Sequence, residues 1–193
     1  MRYPKEHKSR THRRIVETAA RAFRANGIGG VGVADLMAEA GLTHGGFYAH
    51  FKSKDALVTE ACRQALDATT ETLDFRARGA PPGEGLRAVV RTYLSRSHRD
   101  DAARGCVMAS LAGDIARAAP ETRHAVTEAL GRLVAVIARQ IPQEDAPART
   151  NRALAVAASL VGAMALARAV DDDALSDTIL EATRAFVLEA AAR

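Results

Sequence analysis

Apolar positions in this chain recur at helical rather than strand spacing. Ile15, Ala19, Ala22 and Phe23 fall at i, i+4, i+7 and i+8, one apolar stripe on an otherwise basic stretch. The spacing predicts a helix that starts near Ser9 or Thr11, either a good N-cap, and runs to Asn26, with Gly27 as its stop. "GIGGVG", residues 27–32, follows as a connector, since it has neither the preceding strand nor the lysine of a phosphate-binding loop. "VADLMAEA", residues 33–40, predicts a short second helix with Leu36 and Met37 inward, closed by Gly41. Thr43 can cap a third, very short helix that ends near His50. Ser53 can cap a longer fourth, with Asp55 at the positive end of its dipole and Leu57, Ala61, Leu66 and Leu73 along its apolar side.

"ARGAPPGEG", residues 77–85, breaks the pattern, because no helix continues through Pro-Pro-Gly. Further helices are expected at about 85–99, 106–118, 121–140, 148–170 and 174–191, separated by Pro120, Pro142 and Pro147, with Asp171–Asp173 capping the last. No repeat of fixed period appears. The expectation is an all-α chain of about nine helices: a three-helix N-terminal unit over residues 9–69 and a helical body over 70–193. Abundant alanine and sparse β-branched and aromatic residues point the same way.

Charge divides the chain at nearly the same place. Residues 1–54 hold ten Lys/Arg against four Asp/Glu, a balance of +6, and four of the six histidines. The other 139 residues hold seventeen Lys/Arg and nineteen Asp/Glu, a balance of −2. An N-terminal unit that meets a polyanion and a neutral body with another task fit this asymmetry. The basic start, "MRYPKEHKSRTHRR", is not followed by the apolar core of an export signal. The longest uncharged run, Ala153 to Ala167, is short and alanine-rich, and is expected to be a buried helix rather than a membrane span. Two cysteines, Cys62 and Cys106, provide no disulfide framework and suit a reducing cytoplasm.

Three short helices and a longer fourth, with a glycine turn between the second and third, are the arithmetic of a helix-turn-helix. "GLTHGGFYAHFKSKDAL", residues 41–57, carries its chemistry. Gly45 and Gly46 let the backbone come close to phosphates and base edges. Phe47 and Phe51 should face inward, whereas Tyr48 and His50 should face out toward phosphate. Lys52 and Lys54 extend a phosphate clamp at the start of the fourth helix. The basic arm of Arg2, Lys5, Lys8, Arg10, Arg13 and Arg14 leads into the first helix, where it can reach phosphate or a minor groove.

The run "IVETAARAFRANGIGGVGVADLMAEAGLTHGGFYAHFKSKDAL", about residues 14–57, resembles the TetR family of bacterial transcriptional regulators. The resemblance rests on the ordered combination of Ala-x-x-x-Phe, Val-x-Asp-Leu, the Ala-Gly turn and Phe-Tyr-x-His-Phe-x-Ser-Lys. It implies a homodimer on a palindromic, double-stranded operator, usually a repressor released by a small-molecule inducer. By position it puts base contacts on Thr43, His44 and Gly45, and phosphate contacts on Tyr48, His50, Lys52 and Lys54. Two positions depart from the family pattern: Gly32 stands where a hydroxyl N-cap is frequent, and His44 where a longer cation is common.

In the body, Val126, Leu130, Leu133, Val134, Ile137 and Ile141 form one stripe, and Ala153, Leu154, Ala157, Leu160, Val161, Met164 and Ala165 another. Either stripe alone can be intramolecular core; the resemblance, not the periodicity, implies that this pair of helices forms the dimer's four-helix bundle. "RGCVMASLAGDIARA", residues 104–118, resembles the stretch through which some TetR-type repressors sense electrophiles and oxidants. Cys106 is expected at a helix N-terminus beside Arg104, both of which lower a thiol pKa. The alternative is a small buried core residue. Leu86, Val90, Tyr93, Leu94, Met108 and Leu111 are expected to line an apolar ligand pocket. Neither a cofactor nor a metal is expected; His98 and Cys106, eight apart, lack a third soft ligand.

Two other functions compete on sequence grounds. A small all-α enzyme would draw on groups such as His98, Asp100 and Asp101, but no nucleophile–base–orienter set stands out. A helical module could instead use the basic arm on RNA or an anionic membrane without sequence preference.

Overall fold

A computed structural model describes residues 5–141 and 145–191, with the side chains of residues 6–141 and 145–190. Arg2 and Pro142, singled out above, lie outside the described residues. Nine α-helices and one 3₁₀-helix are present, with no strand among the described residues. In chain order they are α1 (Lys5–Asn26), α2 (Val33–Glu39), the 3₁₀-helix (His44–Ala49), α3 (Lys54–Arg78), α4 (Gly85–Tyr93), α5 (Arg96–Asp100), α6 (Val107–Ala116), α7 (Pro120–Ala138), α8 (Ala146–Ala169) and α9 (Asp173–Ala191). The chain is all-α, as its periodicity requires.

The first helix starts at Lys5, earlier than either anticipated cap, and buries Ile15, Ala19, Ala22 and Phe23. Gly27 ends it with φ +76°, and Gly41 ends α2 with φ +66°, a backbone conformation that disfavours any residue with a Cβ. Leu36 and Met37 of α2, and Phe47 and Phe51 around the 3₁₀-helix, close the core of this unit. Thr43 sits at the N-cap of the 3₁₀-helix without a side-chain cap bond, as does Gly32 before α2. Ser53, by contrast, does cap α3: its hydroxyl accepts from the Ala56 amide at 3.1 Å.

Two features of the body differ from the pattern. The helix expected over 85–99 is two helices, because Ser95 competes for backbone groups: it donates to the Thr92 carbonyl (3.0 Å) and accepts from the His98 amide (3.2 Å). The Arg184 guanidinium then takes up the Leu94 carbonyl at 2.8 Å. Second, α7 does not present its apolar stripe outward. Val126, Leu133, Val134, Ile137 and Ile141 are buried, with α7 packed along α3. A part-buried hydroxyl pair, Thr59 and Thr122 at 2.7 Å, joins these two helices.

By length and composition α8 could cross a membrane, but Ala153, Val156, Leu160 and Met164 face the core between α7 and α9. Its opposite side and α9 leave Leu154, Leu166, Leu175 and Phe186 exposed. Exposed large apolar side chains of the last three helices therefore lie on α8 and α9, while the α7 stripe is intramolecular core, the alternative the sequence left open for it. The long α3 runs unbroken across residues 69 and 70 and mechanically joins the N-terminal unit to the body.

Candidate functional site

The 3₁₀-helix presents one face to the core and one to solvent. Phe47 is buried against Phe51, whereas Tyr48 is 67% exposed, its ring edge-on to both Phe47 and His44. Thr43, His44 and Gly45 are exposed beside it. A Cβ at Gly45 would touch nothing in the protein, so the fold does not itself demand the missing side chain there. Arg10, Arg13 and Arg14 lie exposed on α1, and Lys52 is exposed just before α3.

Two anticipated phosphate ligands are placed otherwise. The Lys54 ammonium turns inward, donates to the Ile28 carbonyl at 2.7 Å and lies 6.0 Å above the Phe23 ring. It ties the connector after α1 to the start of α3. His50 is half-buried rather than fully outward, and its Nδ1 has no hydrogen-bond partner. Desolvation, then the neighbouring His12 and Lys8, push its pKa down. His12 itself stacks on Phe51 at 4.5 Å, and its Nε2 meets the Glu60 carboxylate at 2.9 Å. This contact anchors the end of the recognition segment to α1 and α3. The chain separation of His12 from Glu60 left no signal in the sequence.

A second feature is a cleft of about 320 Å³ where α1, α3, α4 and α5 meet. Its wall includes Arg24, Thr72, Tyr93, His98, Asp101 and Arg104. Of the six residues anticipated for an apolar pocket, Tyr93 lines it. Leu86, Val90, Leu94 and Leu111 are instead buried in the core, and Met108 packs partly buried against them. Large aliphatic side chains fill space against one another, so the opening falls where α3 shows Ala65, Ala68 and Thr69.

His98 organises the far wall. The Cys106 amide donates to its Nε2 at 2.8 Å, so that nitrogen is unprotonated, and Nδ1–H must donate to the Tyr93 carbonyl at 2.6 Å. Burial, opposed by that carbonyl bond and reinforced by Arg168 and Arg24, lowers its pKa and favours this neutral tautomer. Arg168 of α8 donates to the carbonyls of His98 (2.6 Å) and Arg99 (3.1 Å). Gly105 is required here because a Cβ would collide with the Arg168 guanidinium and lie 3.1 Å from the His98 ring.

Cys106 is the N-cap of α6, as anticipated, but it is 0% exposed. Arg104 does not lie over it; that side chain points to solvent and pairs with Asp101 at 3.5 Å. The cations near enough to act on the sulfur are Arg24 of α1 and Arg168 of α8. Cys62 is also buried, and desolvation pushes its thiol up to about 11. Among the described residues no group of three His, Cys, Asp or Glu is placed to hold a metal ion.

The helix-turn-helix geometry has its counterpart in known families. Residues 15–61 match the model of bacterial regulatory proteins of the tetR family. Residues 82–181, more than half of the chain, match that of the LmrA/YxaF-like transcriptional regulator C-terminal domain. The chain belongs to the TetR family.

Over 92 residues it is 30% identical to YerO of Bacillus subtilis, an uncharacterized HTH-type transcriptional regulator, covering 45% of this chain and 32% of that one. Curated relatives are thus matched over about a third of their length. SCO4454, a TetR-family transcriptional regulator from Streptomyces coelicolor, has TM-score 0.73 and 28% identity, covering 96% of this chain and 97% of that one. Reduced NemR of E. coli shares the fold, with TM-score 0.76 at 17% identity over 92% of this chain and 94% of that one. These relatives are regulators of transcription, not enzymes. A TetR-family chain carries a DNA-binding N-terminal unit, and here that unit is α1, α2 and the 3₁₀-helix.

Proposed function

We propose that this chain is a homodimeric transcriptional repressor of the bacterial cytoplasm that grips a palindromic operator and releases it when a small molecule enters the body. The observation that carries the reading is the two-sided recognition segment. Phe47 and Phe51 pin it to the core, while Thr43, His44, Gly45 and Tyr48 are exposed, as are Arg10, Arg13, Arg14 and Lys52. In that arrangement Thr43, His44 and Gly45 read base edges, and Tyr48, Lys52 and the α1 arginines hold phosphates. His50 takes a phosphate at the edge of this surface, and Lys54 acts by fixing the backbone behind it.

Two copies are needed for a palindrome. The exposed Leu154, Leu166, Leu175 and Phe186 of α8 and α9 support a four-helix seam with a second chain. Such a dimer places its recognition segments about 34–36 Å apart, one turn of the duplex. A ligand that favours another spacing shifts the population away from the DNA-competent state.

Selection of bound duplexes from a random pool tests this reading. An inverted repeat should be enriched, with half-sites one helical turn apart. Uniform retention of all sequences, or of RNA as well as DNA, would show a non-specific nucleic-acid module instead.

A further inference from the structure

The cleft between α1 and the body contains a cation that makes no ion pair among the described residues. Arg24 lies in the last turn of α1 and lines the cleft. Its Nε donates to the Ala103 carbonyl at 2.7 Å, and among the described residues the guanidinium makes no ion pair. The one acidic side chain lining the cleft, Asp101, already pairs with Arg104. The sulfurs facing Arg24 belong to buried, free cysteines. Arg168 adds a second partly buried positive charge behind His98. Burial without a partner is costly for a guanidinium, and here it lowers the Arg24 pKa despite the surrounding thiols and Asp101.

The rest of the cleft suits a body that is largely apolar. Tyr93 and Leu73 line it together with the methyl faces of Ala65 and Ala68. The Tyr93 hydroxyl itself is buried and faces Cys106, so the ring rather than the hydroxyl lines the cleft. We infer that the cleft binds a small organic acid, its carboxylate paired with the free edge of Arg24 and its hydrocarbon or aromatic body against Leu73, Tyr93 and α3. This deepens the ligand-released reading above and rests on it for its regulatory meaning. Because Arg24 belongs to the DNA-binding unit and Tyr93, His98 and Asp101 to the body, with α3 between them, the acid fastens one to the other across the joint at Ala103.

Calorimetric titration and thermal shift of the full chain test the site without DNA. The probes are benzoate, phenylacetate and hexanoate, their neutral amides, and sulfate at matched ionic strength. The acids should bind and raise the melting temperature, while the amides and sulfate do not. Arg24→Gln should weaken acid binding by at least about tenfold, as expected for loss of a charge-assisted pair, and Arg24→Lys should retain part of it. A ligand-free melting temperature close to wild type for either variant confirms that the fold is kept. Equal binding of acids and amides, equal binding of sulfate, undiminished acid binding by Arg24→Gln, or no binding of any acid at millimolar concentration overturns the inference. Acid binding lost on Arg24→Gln in a protein that selects no DNA would uphold the site and overturn the regulator reading.

Discussion

Single side chains here carry more than one kind of consequence. Tyr48 is fixed by its exposure: it rests edge-on against Phe47 but buries little of itself. Tyr48→Ala should therefore leave the melting temperature and oligomeric state unchanged while weakening operator binding by about tenfold, the scale of one lost hydrogen bond to a charged group. Gel-shift titration and thermal denaturation of the same preparation separate the two effects. His98 is the opposite case, a ring whose value lies inside the fold. Its folded pKa is below that of a free histidine, so the unfolded chain binds more protons between the two values. Its stabilisation is complete above the unfolded value of about 6.5 and is lost as pH falls through the window below. His50, shifted the same way, adds to the slope. Urea denaturation between neutral and mildly acidic pH should show stability falling with pH, and His98→Gln should flatten that fall. An unchanged slope in the variant would mean that the ring is not held neutral by its two backbone bonds.

Elements follow local chemistry where a cap or a stop is strong, and depart from it where side chains compete. Ser53 is a true cap with its bond to the Ala56 amide, and Ser53→Ala should lower stability by about 1 kcal/mol in chemical denaturation. Since α3 begins there and reaches from the recognition segment into the body, fraying at that end would loosen both. The boundaries of α2, α6, α7 and α9 were legible within a few residues, because periodic apolar positions and Gly or Pro stops act over one or two turns. The split between α4 and α5 was not, because an apolar run through Tyr93 and Leu94 looks continuous unless the hydroxyl of Ser95 is known to take two backbone groups. Likewise, the third helix, expected only as a very short one, closes as a 3₁₀-helix over six residues.

Across the whole molecule, the decisive fact is which apolar faces are used internally. Packing α7 onto α3 leaves the exposed apolar side chains of the last three helices on α8 and α9. Replacing Phe186, 66% exposed, and Leu166, 59% exposed, by Glu should yield a folded monomer in sedimentation equilibrium, with operator binding lost. A double variant that remains dimeric would place the seam elsewhere. Cys106 also takes its character at this scale. The sequence left open a helix-terminal thiol beside Arg104 or a small buried core residue; the fold buries Cys106 with Tyr93 close by, and native thiol labelling should be slow relative to the unfolded chain.

The sequence by itself determined the all-α class, the order of the helices, the turn at Gly41, and the short third helix with its buried phenylalanines and exposed tyrosine. All of these depend on residues within a turn or two of each other, where spacing, caps and backbone preference act directly. Tertiary structure alone decided the partners. Lys54 went to Ile28, His12 to Glu60 and Arg24 to Ala103, while α7 went inward and the apolar face of α8 and α9 outward. Those outcomes depend on which surfaces exclude water together and which charges are left without a counterpart after packing. Neither is encoded at any fixed spacing along the chain.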